Sequence, residues 1–416
     1  MITIFHTADV HFGVENYGKI DAATGIHTRL LDFKNALEEC VNKAVAENID
    51  LFLLCGDAYK TAYPTPTQQK LLCSLLLKLH TAKIPVAIVI GNHDHPLSFG
   101  KANALDIFAY LPLDSFYVFS KPEAIKITTK NGPVQVVGIP WPTRNTLVAN
   151  TEHRFKNNAE IATCLSEKVG HIINSLAQTL NPNLPAILAG HLTVSSGIFS
   201  GSEKCAIFGT DPIFLPSQLA ISPFDYVALG HLHRYQNLNP KGFPPVVYSG
   251  SIERVDFGER KEDKGFCRVT IDKKAADKTE CNVDFVHVNT RPMIQIEVKL
   301  TTLGNQTEQI LDQLKKKNLT NAIVKIVYHV PEASTDTVDV LALQRACSKA
   351  MYLVGIFPKH TLATREHRAQ LKVDMDLPTM LRNYFDEKKE IADRKELLIK
   401  KALELNETIQ TSPTQE

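Results

Sequence analysis

Several features that define other protein classes are missing from this sequence. No apolar run approaches the roughly 20 residues a helix needs to cross a bilayer. The opening MITIFHTADVHFG has no basic segment and turns polar almost at once, so no secretory leader is expected. Eight cysteines are present (Cys40, Cys55, Cys73, Cys164, Cys205, Cys267, Cys281 and Cys347), but none falls in a CxxC pair. Most sit inside apolar runs, as Cys55 does in LFLLCGD, which points to buried free thiols in a reducing compartment rather than disulfides or a zinc site. Excess positive charge is also missing. The formal net charge is +1, so bulk charge gives no sign of a nucleic-acid partner, and any such contact must come from a local basic surface or a partner chain. No internal repeat or low-complexity tract is present. These absences predict a cytoplasmic protein with no membrane contact.

What is present suits a globular protein of more than one domain. The chain has 416 residues, 44% of them hydrophobic and 22% charged, which exceeds the size at which a single core usually stops growing. Over the first hundred residues, short apolar runs alternate with helical spacing. Ile2 to Thr7 reads as a strand, Leu30, Phe33, Leu37, Val41 and Val45 recur as on a helix, and Leu51 to Cys55 is a second strand. A second helix spans Leu71 to Leu79 and a third strand Val86 to Ile90. That rhythm predicts βαβ units, an α/β fold with strands buried on both faces.

The loops at the strand ends carry the chemistry. The first strand runs into ADVH, the second into GDAY and the third into GNHDHP. Later, Ala186 to Ala189 ends in Gly190-His191, and Tyr226 to Leu229 ends in Gly230-His231-Leu232-His233. In open α/β sheets the ligand site lies just beyond the carboxyl ends of the strands, so these loops point to one shared site. Its candidate metal ligands are Asp9, His11, Asp57, Asn92, His191, His231 and His233, with His93 beside them. Mixed oxygen and imidazole ligands suit manganese, iron or zinc better than calcium. In Asp9-x-His11 and His231-x-His233, alternate side chains share one face of an extended segment.

Seven ligands are too many for one tetrahedral ion and about right for two, with one carboxylate bridging. Two ions roughly 3.5–4 Å apart can generate a nucleophile at neutral pH and clamp a phosphoryl group during in-line displacement. His93 is then left to stabilise transition-state charge or to protonate the leaving oxygen, with Asp94 to orient its imidazole. A single DxH, GD or GH is more often structural than functional. Five such elements in order, each just after a strand, favour the metal site. His6, His27, His80, His95, His153, His171, His287, His329, His360 and His367 lack that context and read as structural or surface residues.

Between the motif blocks lie hairpins, such as VVGIP after Lys130-Asn131-Gly132-Pro133, and VVYSGSIERVDFGE reads as the last strand and loop of a domain spanning 1–288. A small α+β domain occupies 289–372. In it Ile294, Ile296, Val298 and Leu300 alternate as in a strand, a helix runs from Thr307 to Lys316, a strand from Ile323 to Val330, and a longer helix from Val338 to Val354. The highly charged remainder, 373–416, holds two helical stripes: Leu377, Met380, Leu381, Tyr384 and Phe385, then Ile391, Leu398, Ala402, Leu405 and Ile409. Two short amphipathic helices cannot bury their apolar faces alone and are expected to dock on a partner such as a coiled coil. The closing TSPTQE is expected to be disordered.

The series ADVH, GDAY, GNHD, GH at 190–191 and GHLH at 230–233 resembles the calcineurin-like metallophosphoesterase family. Within it, FHTADVHFG, TRLLDFKNAL (28–37) and YSGSIERVDFGE (248–259) resemble the SbcD-type DNA repair nucleases, which partner an SMC-like SbcC ATPase. The resemblance implies a metallophosphoesterase β-sandwich flanked by helices, a small α+β capping domain and a C-terminal helical tail that binds the ATPase. It implies one ion on Asp9, His11, Asp57 and His233 and another on Asp57, Asn92, His191 and His231, with Asp57 as the bridge and His93 as the catalytic histidine. It also implies manganese, a homodimer, and exonuclease and endonuclease action on DNA ends and hairpins in repair, recombination and replication.

DNA-contact candidates are Tyr59, Lys60, Arg144, Arg234, Arg254, Arg260 and Lys261, each equally readable as a surface residue. Trp141 reads as packing rather than base stacking. The competing function is a metallophosphoesterase acting on a small molecule or cyclic nucleotide, for which the helical tail has no obvious use. A scaffold without activity is disfavoured by the complete ligand set.

Overall fold

The computed structural model describes residues 1–96, 101–143, 158–200, 211–275, 278–331, 334–360, 377–386 and 394–411. Its first sheet begins with three parallel strands, β1 (Ile2–Thr7), β2 (Leu51–Cys55) and β3 (Val86–Val89). Helix α1 (Thr28–Glu47) links β1 to β2, and α2 (Pro66–Thr81) links β2 to β3. Local chemistry sets these helix ends. Asn48 closes α1 in the left-handed conformation (φ 46°), while Thr65 and Gln68 form a reciprocal capping box ahead of Pro66 at the first turn of α2. The short α3 (Ile107–Tyr110) precedes β4 (Phe116–Phe119), which joins the sheet parallel to β3.

The second sheet is built on β5 (Glu123–Thr129) and β6 (Gly132–Ile139), a hairpin turning at the expected Lys130-Asn131. Helix α4 (Asn158–Gln178) then leads to β7 (Ala186–His191). A two-stranded ribbon of β8 (Thr193–Val194) and β9 (Ile213–Phe214) and the turn α5 (Pro216–Leu219) precede β10 (Tyr226–Gly230). Short strands β11 (Gln236–Asn237) and β12 (Val246–Tyr248) complete this sheet in the order β11-β12-β10-β7-β6-β5. The chain then returns to the first sheet through the hairpin β13 (Gly265–Ala275) and β14 (Lys278–His287), giving the order β14-β13-β1-β2-β3-β4.

The two sheets face each other across a core of Ile4, Leu53, Val89, Val136, Ile187 and Ala228, with neighbours of the same kind. The outer face of the first sheet packs on α1 and α2 through Phe33, Leu37, Leu72 and Leu76, and that of the second on α4 through Val169 and Ile173. The result is the expected β-sandwich flanked by helices. Its central strands are buried on both faces, which is why they read as continuous apolar runs.

Beyond residue 288 come β15 (Met293–Lys299), α6 (Gln306–Lys315), β16 (Ile323–Val330), α7 (Val340–Ala346) and β17 (Tyr352–His360), with the strands in the order β15-β16-β17. The structure corrects the helix expected over Val338 to Val354. It stops at Ala346, and Tyr352 onward is a strand whose Pro358 is tolerated because β17 lies at a sheet edge. The hairpin of β13 and β14, for which the sequence pattern gives no clear signal, is a further addition, as are α4 and β4.

By compactness the chain forms two units. One holds Met1–Ile296, Leu314–Ile326 and Leu341–Gly355, and the other Glu297–Gln313, Val327–Val340 and Ile356–Glu416. The second unit ends in α8 (Leu377–Asp386) and α9 (Lys395–Thr411), which pack on each other. Ile399 of α9 is buried, whereas Leu397 and Leu405 are exposed. Ile391 of the second stripe and the closing 412–416 lie outside the described residues, as do Cys205, His153 and His367. The seven described cysteines are free thiols, and among the described residues no helix is long and apolar enough to cross a membrane.

Candidate metal centre

The loops after β1 and β2 run side by side and lock together through their backbones. Asp9 N donates to Gly56 O (3.0 Å), His11 N to Asp57 O (2.9 Å) and Phe12 N to Ala58 O (3.0 Å). The turns are so sharp that Asp9, His11 and Asp57 take left-handed backbone angles (φ 52°, 50° and 53°), and His231 does so on the opposite sheet (φ 108°). Such conformations in non-glycine residues cost roughly 1–3 kcal/mol each and persist only where the surroundings enforce them. Two glycines are required by close approach. A Cβ on Gly91 would lie 2.1 Å from Asp57 Oδ1, and one on Gly230 would lie 1.9 Å from Cys55 O.

These constraints bring all seven expected ligands to one place. His11 Nε2 is 3.7 Å from Asp57 Oδ2, and His191 Nε2 is 3.4 Å from the same oxygen. His11 Nε2 and His233 Nε2 stand 3.0 Å apart. Asn92 Oδ1 lies 3.0 Å from His191 Nε2 and 3.2 Å from His231 Nδ1. Asp9, His11 and His233 offer ligand atoms within 4.8 Å of one another, as do Asp9, Asp57 and His191, and likewise His11, Asp57 and His93. All of these are buried except Asn92 and His93, which are half-buried and mark the open side.

The donor set fits divalent cations. His191 Nδ1 donates to the carbonyl of Cys55 (2.8 Å), while Nε2 faces only oxygens, Asn92 Oδ1 at 3.0 Å and Asp57 Oδ2 at 3.4 Å. Oxygens gathered on that nitrogen call for a positive charge there, carried by a proton or by a cation that takes its place. Proton affinities in the site reflect the same deficit. Burial disfavours a charged His191, yet Asp57 and Asp9 outweigh it and push the imidazole up to about 9. Burial, with the Asp57 charge, pushes Asp9 up to about 6 against the pull of His191 and His233. Asp57 itself is held well below the usual carboxylate range by His191 and His11 in spite of burial.

His93 is placed by backbone groups. Its amide donates to Asp57 Oδ1 (2.9 Å), and its Nδ1 lies 3.0 Å from Lys60 O. The expectation that Asp94 orients this imidazole is corrected by these partners. The Asp94 carboxylate, in the same loop as His93, is turned inward and buried and accepts from the amides of Ala58 (3.3 Å), Tyr59 (3.1 Å) and Gly91 (3.1 Å). Burial and the Asp57 charge push it up to about 7. Asp94 ties the GD loop to the GN loop, and the Lys60 carbonyl takes the place expected for it at His93.

One group that the sequence gives no role, although it closes the segment YSGSIERVDFGE, reaches the site. Glu259, on a 3-10 turn (Phe257–Glu259), accepts from His233 Nδ1 at 2.8 Å and pairs with the buried Lys264 ammonium at 2.8 Å. Burial opposes its charge, but Lys264 and His233 hold the carboxyl below its usual range. The Trp141 ring lies 4.8 Å from His231, centre to centre, in keeping with packing.

Several of the DNA-contact candidates have partners within the chain or are buried. Arg254 donates to Glu262 O (2.9 Å) and Thr290 Oγ1, Arg260 to Phe257 O (3.0 Å), and Tyr59 is buried. Arg234 and Lys261 are exposed, Lys60 is half-buried, and Arg144 lies outside the described residues. Among the histidines set aside, His6 meets the Tyr226 hydroxyl (2.8 Å), His27 caps α1, His80 meets Ser115 Oγ (2.6 Å) and His95 meets Pro96 O (2.8 Å).

A family model described as calcineurin-like phosphoesterase matches residues 2–235. Among curated proteins, the chain is 29% identical over 321 residues to the SbcD component of the nuclease SbcCD from Staphylococcus epidermidis, covering 76% of each chain. Among solved structures it is similar to a dimetal phosphatase from Danio rerio (11% identity, TM-score 0.40, covering 67% of this chain and 98% of that one). It is also similar to a purple acid phosphatase from yellow lupin seeds (12% identity, TM-score 0.39, covering 68% of this chain and 51% of that one).

Proposed function

This chain belongs to the calcineurin-like phosphoesterase family and is a metal-dependent phosphodiesterase, and on that premise we propose that it is the nuclease subunit of an SbcCD-type complex, cleaving DNA at ends and hairpins. The observation that carries the reading is the meeting of Asp9, His11, Asp57 and Asn92 from one sheet with His191, His231 and His233 from the other. The relative in Staphylococcus epidermidis, a nuclease subunit by name and matched over more residues than the family model, supports a nucleic-acid substrate.

In this proposal Asp9, His11, Asp57 and His233 hold one cation and Asp57, Asn92, His191 and His231 the other, with manganese as the ion. When bound, such a pair supplies a nucleophile at neutral pH and neutralises charge on the phosphoryl group. The chain's own residues do the rest. The sheet ends fix the ligands so that no reorganisation is needed as charge develops. His93 keeps Nδ1–H on the Lys60 carbonyl, which leaves Nε2 for the substrate. Burial holds this imidazole below its usual range, opposed by the Asp57 charge. An approaching phosphodiester adds negative charge that favours the imidazolium, whose Nε2–H then supports the leaving oxygen.

The domain assignment goes with the function: 1–288 for the phosphoesterase, 289–372 as the capping domain and 373–416 as the segment that binds the ATPase. Exposed Leu397 and Leu405 on α9 support a docking role for that segment. The complex would be cytoplasmic and the nuclease subunit a homodimer. Manganese-dependent cleavage of end-labelled duplex and hairpin DNA, with and without the ATPase and ATP, tests the substrate. Inert DNA alongside rapid hydrolysis of a cyclic nucleotide would transfer the reading to a small-molecule phosphodiesterase. Truncation before Leu377 should spare intrinsic nuclease activity and abolish capture by the ATPase, and equal capture by the shortened chain would remove the docking role.

A further inference from the structure

The outer nitrogens of the site's imidazoles are held in unlike ways. His191 and His93 each present Nδ1 to a neutral backbone carbonyl, those of Cys55 (2.8 Å) and Lys60 (3.0 Å). His233 instead presents Nδ1 to a carboxylate, Glu259 Oε1, at 2.8 Å. The other Glu259 oxygen is saturated by the Lys264 ammonium (2.8 Å), the Val255 amide (3.0 Å) and the Ser251 hydroxyl (3.3 Å). Lys264 also donates to the His233 carbonyl (2.8 Å) and to Ser251 Oγ (2.9 Å). One ammonium therefore fixes both the backbone of a candidate ligand and the carboxylate that grips its ring. The Glu259 and Lys264 side chains are both fully buried.

We propose that Glu259 and Lys264 form a positioning pair that makes the cation site built on Asp9, His11 and His233 the tighter of the two. A carboxylate on Nδ1–H fixes the tautomer, aims Nε2 at the cation and raises its donor strength beyond what a neutral carbonyl achieves. Glu259 can do this only while it keeps its charge in a dry setting, and Lys264 provides the compensation. The second site relies on His191 backed by a carbonyl and on the neutral amide oxygen of Asn92, so it binds more weakly. The inference rests on the two-cation reading given above, and it assigns the two sites an order of filling.

Removing one member of a buried ion pair leaves the other charge uncompensated, so the test uses a charge-balanced variant, Glu259→Gln with Lys264→Met. Manganese binding to the full chain is followed by electron paramagnetic resonance of the free ion. The wild type should show two classes of site with distinct affinities. In the double variant the tighter class should weaken roughly 10–100-fold while the weaker class is unchanged. An unchanged tight class, or equal weakening of both, overturns the inference. A wild-type chain that binds no manganese overturns the two-cation reading itself, which is a different result. Should the variant fail to fold, nitrogen-15 spectra of histidine-labelled wild type loaded with zinc decide the matter. Protonation of His233 at Nδ1 supports the pair, and protonation at Nε2 overturns it.

Discussion

The two sheets contribute to the centre in different currencies. The first sheet supplies the candidate oxygen ligands Asp9, Asp57 and Asn92 together with His11, on loops tied to one another, the first two by backbone hydrogen bonds and the third through the Asp94 and Asp57 carboxylates. The second supplies imidazoles alone, His191, His231 and His233, at the ends of β7 and β10. On the first side precision comes from the main chain, through left-handed turns at three ligands and a Gly91 that leaves room only for hydrogen beside Asp57. On the second side it comes from the group behind two of the rings, the Cys55 carbonyl at His191 and the Glu259 carboxylate at His233, and at His231 from a backbone amide held by Asp9. The negative charge that draws cations is therefore rigid and concentrated, while the softer ligands are tuned one at a time.

The sharpest way to break this comparison is Asp57→Asn. Asp57 faces His11 and His191 with a single oxygen, so it serves both sheets at once. Loss of its charge should abolish binding of both cations and reduce hydrolysis by more than the roughly 10²–10⁴-fold carried by one acid–base group. Calorimetric titration with manganese reads the first effect and cleavage rate the second. Full occupancy of both sites in this variant would show that the negative charge is not shared.

His93→Ala is expected to have the next largest effect, and it separates chemistry from binding. Because His93 is placed by the Asp57 carboxylate and the Lys60 carbonyl rather than by the imidazoles opposite, its removal should leave manganese affinity intact. Turnover should fall by roughly 10²–10⁴-fold. Undiminished turnover would remove the assigned role.

This contrast also explains what can be read from the sequence. Asp9, Asp57 and Asn92 are legible because each lies just beyond a largely buried strand in the parallel part of the first sheet, whose apolar run and abrupt polar end are local signals. The same holds for His191, His231 and His233. Glu259 is not legible, because its role depends on a turn 26 residues along the chain folding back onto His233. The role of Asp94 is hidden for a related reason. Adjacency to His93 in sequence suggests contact, whereas the loop turns the carboxylate inward to backbone amides. The β13–β14 hairpin escapes notice because β14 is an edge strand of alternating half-exposed residues, with no apolar run to mark it. The end of α7 is easily misplaced because Ala350 and Met351 extend a helical composition up to the start of β17.

A smaller effect sharpens the comparison from outside the centre. His6 is an imidazole of the first sheet that takes no part in the cluster. It is buried in β1 and meets the hydroxyl of Tyr226 in β10 at 2.8 Å, so it joins the two sheets. Burial lowers it from 6.5 to about 3. At pH 8 the folded and unfolded chains both hold it neutral, and the group is silent. Below about pH 6.5 the unfolded chain takes up a proton that the folded chain refuses until about pH 3, so stability falls with pH across that window. The deficit reaches about 2 kcal/mol at pH 5, at about 1.4 kcal/mol per pH unit. Urea unfolding of wild type and His6→Asn at pH 8 and pH 5 measures it. The variant should be the less stable at pH 8, having lost part of the Tyr226 contact, yet it should lose about 2 kcal/mol less on acidification. Identical acid sensitivity in the two chains would move its origin to the carboxylates and imidazoles of the centre, to which both sheets contribute.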